Sequence, residues 1–112
     1  MKLLVAGSRG ISEFDLSQHI PDGIDLIISG GAGGIDEIAE KYADEHRISK
    51  LILRPNYKLY RKAAPLKRNE LMVSICDEVL LVWDGASRGT AYTAKVAQKM
   101  GKIVKIVRVD KK

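Results

Sequence analysis

Five short apolar runs mark the chain, at residues 2–6, 25–29, 50–54, 78–83 and 103–108. Most are near-continuous Val, Ile and Leu without strict polar alternation, the pattern of strands covered on both faces. Between them, residues 13–20, 34–47, 65–76 and 89–100 carry helical spacing. The second of these is the clearest: Ile35, Ile38, Ala39, Tyr42, Ala43 and His46 share one face, and Glu37, Glu40, Lys41, Asp44 and Glu45 face away. In the last, Ala91, Ala94 and Ala97 give a small-residue face suited to close packing on a sheet, and Gly101 stops the helix. The first is short and weakly patterned. The two prolines Pro55 and Pro65 bracket a stretch that predicts a loop or a broken helix start.

Strands alternating with helices predict a parallel sheet with right-handed crossovers and helices on both faces. No repeat, low-complexity tract or linker interrupts the pattern, so residues 1–112 read as one domain. The expected fold is α/β, a three-layer Rossmann-like domain with a five-stranded parallel sheet in the order 3-2-1-4-5, with 2-1-3-4-5 as the alternative. In such sheets ligands bind beyond the carboxyl ends of the strands, where the order reverses.

Composition adjusts this picture only slightly. At 46% hydrophobic and 29% charged the chain is an ordinary globular sequence. No apolar run approaches the ~20 residues that span a membrane. The apolar start is ended by Gly7-Ser8-Arg9-Gly10, too early for a signal peptide. A cytoplasmic protein without membrane association is expected. The single cysteine, Cys76, excludes an internal disulfide and reads as a buried structural thiol. His19 and His46 are too isolated for a metal site, and no cofactor or metal is expected. The net charge of +5 suits attraction to nucleotides or nucleic acid. Lys58, Arg61, Lys62, Lys67 and Arg68 form the densest basic cluster, whereas Lys111-Lys112 reads as a frayed tail.

Three loops at strand ends are rich in glycine and hydroxyls and lead into helical or weakly helical segments. They are Gly7-Ser8-Arg9-Gly10, Ser29-Gly30-Gly31-Ala32-Gly33-Gly34 and Asp84-Gly85-Ala86-Ser87-Arg88-Gly89-Thr90. In the 3-2-1-4-5 order their strands are neighbours, so the loops share one crevice. Helix N-termini offer unpaired N–H groups and partial positive charge, and Arg9 and Arg88 add cations, which together predict a phosphate pocket. Two familiar motifs fail. After Gly31 and Gly33 the dinucleotide fingerprint meets Asp36, and the next strand ends at Arg54 where an acidic residue is required. No P-loop sequence occurs. Asp36, in the first turn of its helix, reads as a cap for free N–H groups or as a contact to a ligand hydroxyl. Arg68-Asn69 places an asparagine, a poor helix former, beside an arginine, which suggests a polar role near the site. Trp83 is read either as a wall of the crevice and base-stacking platform or as core, with Tyr57, Tyr60 and Tyr92 as weaker candidates for stacking.

Ser29-Gly30-Gly31-Ala32-Gly33-Gly34-Ile35-Asp36 resembles the SGGARGID motif of SLOG-type Rossmann domains. That superfamily unites the Smf/DprA DNA-processing proteins with the LOG-type phosphoribohydrolases. Lys67-Arg68-Asn69-Glu70-Leu71-Met72 is similar to its RN helix. Cys76-Asp77-Glu78-Val79-Leu80-Leu81-Val82-Trp83 with Ser87-Arg88-Gly89-Thr90 is similar to its fourth-strand segment, and Val5-Ala6-Gly7-Ser8-Arg9 fits the opening. The match runs in order through nearly the whole chain and is nearest to the small stand-alone, YspA-like members. It implies a pocket for a nucleotide or nucleotide-derived ligand, with Arg68 and Asn69 approaching it, and a homodimer. The phosphoribohydrolases carry a catalytic glutamate three residues after a Gly-Thr pair. Here Gly89-Thr90 leads to Thr93, which cannot act as that carboxylate.

The expected function is therefore a sensor or regulatory module that binds a nucleotide or ADP-ribose-like ligand. Its expected ligand-binding residues are Gly7, Ser8, Arg9, Ser29, Gly30, Gly31, Gly33, Gly34, Asp36, Arg68, Asn69, Ser87, Arg88, Gly89 and Thr90. The first alternative is an enzyme cleaving the N-glycosidic bond of a nucleoside monophosphate, with Arg68, Asp36 and Glu40 as candidate catalytic groups. The second is a single-stranded nucleic-acid-binding protein using the basic segment 58–68.

Overall fold

A computed structural model describes residues 1–110, so Lys111-Lys112 lies outside the described residues. Five parallel strands, β1 (Lys2–Gly7), β2 (Leu26–Ser29), β3 (Ser49–Ile52), β4 (Glu78–Trp83) and β5 (Ile103–Arg108), form one sheet in the order β3-β2-β1-β4-β5. The order is the expected one. The helices are α1 (Ile35–Glu45), the single turn α2 (Tyr57–Tyr60), α3 (Ala64–Ile75) and α4 (Arg88–Lys99).

The continuous apolar runs explain why β1 and β4 are central. Leu3, Leu4 and Val5 on β1 and Val79, Leu80, Leu81 and Val82 on β4 are all buried, and Val5 is in register with Leu80. Because successive side chains of a strand point to opposite faces, each strand feeds two cores. Leu3, Val5, Ile27, Leu80 and Val82 pack with Ile35, Ala39 and Ala43 of α1. Leu4, Ile28, Val79 and Leu81 pack with Met72 and Val73 of α3 and Ala97 of α4. The result is the three-layer Rossmann-like architecture. Each large aliphatic side chain so buried contributes about 1.5–3 kcal/mol. Cys76, at the C-cap of α3, is buried in the second core with its Sγ 3.2 Å from the carbonyl oxygen of Val73. Burial pushes the thiol up, so it stays protonated.

The segment expected as a first helix is different. Only a 3-10 turn forms, at Leu16–Gln18, where Asp15 accepts the Ser17 N–H at 3.0 Å and its hydroxyl at 2.6 Å. Ile11 and Leu16 are buried and Phe14 and Ile20 pack beside them, so the apolar spacing fills the core without a full helix. No helix among the described residues is long and apolar enough to cross a membrane.

Candidate functional site

The strand order brings the carboxyl ends of β2, β1 and β4 side by side. Ser8 fastens their three loops together. Its N–H donates to the Val82 carbonyl at 3.0 Å, and its Oγ accepts the Asp84 N–H at 3.0 Å. Its carbonyl accepts the N–H groups of Ile11 at 3.4 Å and Ile35 at 3.5 Å. Above this junction lies a hollow of about 380 Å³, within the ordinary size of small-molecule sites. Gly7, Ser8 and Arg9 form one wall, Asp84, Ser87, Gly89, Thr90 and Thr93 a second, and Asp36, Arg68 and Asn69 a third.

The third wall is built around Arg68, which reaches from α3 to the end of β2. Its Nη1 donates to the carbonyls of Gly30 at 2.6 Å and Leu53 at 3.2 Å, and its Nε to Asn69 Oδ1 at 2.8 Å. Asn69, buried in a helix it disfavours, is thus the acceptor that orients the guanidinium. Gly30 makes the approach sterically feasible: a Cβ there would lie 2.6 Å from Arg68 Nη1 and 3.0 Å from Asp36 Oδ2. Lys58, Arg61, Lys62 and Lys67 remain exposed, so the basic cluster divides into an outward set and one inward arginine.

Asp36 is buried in the first turn of α1 and its Oδ2 accepts the Ala32 N–H at 3.1 Å. Burial pushes the proton affinity of this carboxyl up, against the opposing pull of that N–H and of the Arg68 charge. Burial likewise pulls the Arg68 guanidinium down, opposed by Asp36; an arginine lowered from so high a value keeps its charge. Glu40 does not face away as its position suggests. It accepts the Ser29 hydroxyl at 3.1 Å and stays behind the loop, outside the hollow.

The glycine loop 29–36 uses its backbone largely on the protein itself. The N–H groups of Gly31 and Ala32 go to Ser29 Oγ and Asp36 Oδ2, and the carbonyls of Gly30 and Gly31 accept from Arg68 and Arg54. Gly34 has φ 70° and abuts the Ser8 and Arg9 carbonyls, with a Cβ there only 2.5 Å from each oxygen. Its role is loop packing. Ser29 is buried beneath the loop, and neither Ser29 nor Gly34 lines the hollow.

The β4–α4 loop is arranged differently. Asp84 Oδ1 accepts the N–H groups of Ala86 and Ser87 at 2.8 and 2.9 Å, which folds the loop back on itself. Ser87 caps α4, its Oγ 3.1 Å from Thr90 Oγ1. Gly89, in the first turn of α4, has open space where a Cβ would stand, and it lines the hollow. Unlike α1, this helix start has no acidic residue in its first turn. Arg88 is exposed and lines neither this hollow nor its neighbour. Trp83 does not wall the crevice: its Nε1 donates to the Ser87 carbonyl at 2.9 Å, and the Arg108 guanidinium lies 5.8 Å from its ring centre. Thr93 is buried at the edge of the hollow with Oγ1 donating to the Gly89 carbonyl at 2.9 Å.

A second hollow of about 390 Å³ adjoins the first, sharing Arg9, Ala32 and Arg68 with it. Its other walls are Gly30, Gly31, Gly33, Arg54, Pro55 and Tyr57. Arg54 and Pro55 were not expected at the site. The signal was available, since both follow β3 at its carboxyl end, the same end that singled out the other loops. A scan against protein-family models finds no match to this chain, and a search of curated proteins finds no relative.

Proposed function

We propose that the chain binds a nucleotide or nucleotide-derived ligand in the first hollow and serves as a sensor or regulatory module. One observation carries this reading: the hydroxyl-bearing residues Ser8, Ser87 and Thr90, Gly89 in the first turn of α4 and the arginines Arg9 and Arg68 all line one hollow. Phosphate suits the α4 start, where N–H groups lack helical partners and the helix dipole favours an anion. The hydroxyls suit the sugar. The resemblance to SLOG-type domains points the same way and adds a homodimer to the proposal, which places the protein in the cytoplasm.

Asp36 favours a second reading, the N-glycosidase. Burial pushes the proton affinity of this carboxyl up, and its place at the wall of the hollow puts it where it could pass a proton to a departing base. Thr93 supplies no carboxylate, so Asp36 is the only one of the proposed acids, Asp36 and Glu40, that lines the hollow.

Thermal unfolding with AMP, ADP-ribose and NAD tests the binding reading. A ligand at 100-fold its Kd adds about 2.7 kcal/mol, a shift of about 10 °C or more for a domain this size. No shift with any of them rejects it. Release of free adenine from AMP, lost in Asp36→Asn, would establish the second reading instead.

A further inference from the structure

We infer that the ligand is a nucleotide extended through a phosphate bridge, which occupies both hollows and lays a ring on Tyr57. This rests on the binding reading above. The hollows are close in size, about 380 and 390 Å³, and each suffices for one nucleoside-sized unit. They meet at Arg9 and Arg68, so two guanidinium groups stand where the two units would join. Of the Arg68 donors, Nη1 and Nε serve the protein, and Nη2 is not used in those bonds. Two guanidinium groups at a junction, only partly offset by the Asp36 carboxyl, match a group carrying charge in the middle of the ligand, a pyrophosphate or phosphodiester, rather than at its end.

The two chambers differ in chemistry. The first presents hydroxyls and a helix start, suited to a sugar phosphate. The second presents the Tyr57 ring, Pro55 and Arg54, suited to a flat heterocycle near an anion. Tyr57 is 59% exposed and lines this chamber, so its side chain is accessible to a ligand there. Arg54 donates Nη1 to the Gly31 carbonyl at 3.1 Å, which fixes the guanidinium at the rim of this chamber.

Titration calorimetry with ADP-ribose, AMP and ribose 5-phosphate tests the assignment on the whole chain and on Tyr57→Ala and Tyr57→Phe. ADP-ribose should bind at least about tenfold more tightly than ribose 5-phosphate. Tyr57→Ala should weaken ADP-ribose about tenfold, the stacking contribution of one base. Tyr57→Phe should retain the affinity, and ribose 5-phosphate should not respond to either change. ADP-ribose binding that ignores Tyr57→Ala, or that is no tighter than ribose 5-phosphate, overturns the two-chamber ligand while leaving nucleotide binding intact. Failure of both ADP-ribose and AMP to bind the unmodified chain removes the underlying reading and this one with it. Tyr57 is exposed, so unchanged thermal unfolding of the free variants separates lost binding from lost fold.

Discussion

Two loops that look alike in sequence, Ser29–Asp36 and Asp84–Thr90, divide their work differently. Both are glycine-rich, follow a buried strand and open a helix. In the first, Gly30 admits Arg68, Gly31 offers its carbonyl to Arg54, and Gly34 packs on the Ser8 and Arg9 carbonyls. Its helix start already holds a buried carboxylate, Asp36. In the second, Gly85 packs on the Arg108 guanidinium, Ser87 caps the helix, and Gly89, which lines the hollow, has open space where a Cβ would stand. A glycine in a loop reports that something comes close. It does not distinguish a ligand from an arginine of the same chain. The first loop is chiefly the brace, although Gly33 is open and lines the second hollow, and the second is chiefly the mouth of the first hollow, although Gly85 packs on Arg108.

Breaking the brace should have the largest effect. Gly34→Ala forces a side chain into φ 70° and against two carbonyls, and should cost about 3 kcal/mol from strain and overlap. Urea unfolding measures it, and a loss under ~0.5 kcal/mol would show that the loop junction is not packed as described. Arg68→Met should come next. It leaves the Gly30 and Leu53 carbonyls and Asn69 Oδ1 without their donor, a loss of about 2 kcal/mol at a half-buried site, together with the loss of nucleotide affinity.

Asp36 gives the brace a pH dependence of known sign. Its folded carboxyl is raised above its unfolded value, so between the two values the folded state holds more protons. The Asp36 contribution to stability is therefore fullest below the unfolded value and falls as pH rises through the folded one. Asp36→Asn removes that fall. Melting temperatures of the two proteins should diverge in favour of the variant as pH rises from acid to neutral. A constant difference across the range would contradict the burial effect.

The sheet was legible in the sequence because its central strands are buried on both faces, which leaves continuous runs such as Val79-Leu80-Leu81-Val82 with no polar interruption. The α1 helix was legible from Ile35, Ala39 and Ala43, which all reach the core. The stretch around Leu16 misled because its apolar spacing serves burial alone, while Asp15 tightens it to a 3-10 turn. At the site, the loops and the Arg68-Asn69 pair were legible from strand ends and from a misfit asparagine. The division of labour between the loops was not, because it depends on Arg54 and Arg68 arriving from elements distant in sequence. Glu40 shows the same limit: helical spacing turns it outward, yet the nearby Ser29 hydroxyl holds its carboxylate behind the loop.

The mouth offers the smallest effect on stability and the sharpest on function. Gly89→Glu enters open space and places an acidic residue in the first turn of α4. That position favours the helix dipole by about 0.3–1 kcal/mol, while its charge opposes an incoming phosphate. The most direct measurement is thermal unfolding of the unmodified chain and Gly89→Glu, each with and without ADP-ribose. The account predicts free melting temperatures that are equal or slightly higher in the variant, with a ligand shift of about 10 °C in the unmodified chain and none in Gly89→Glu. A shift preserved in the variant, or absent from both, would contradict it.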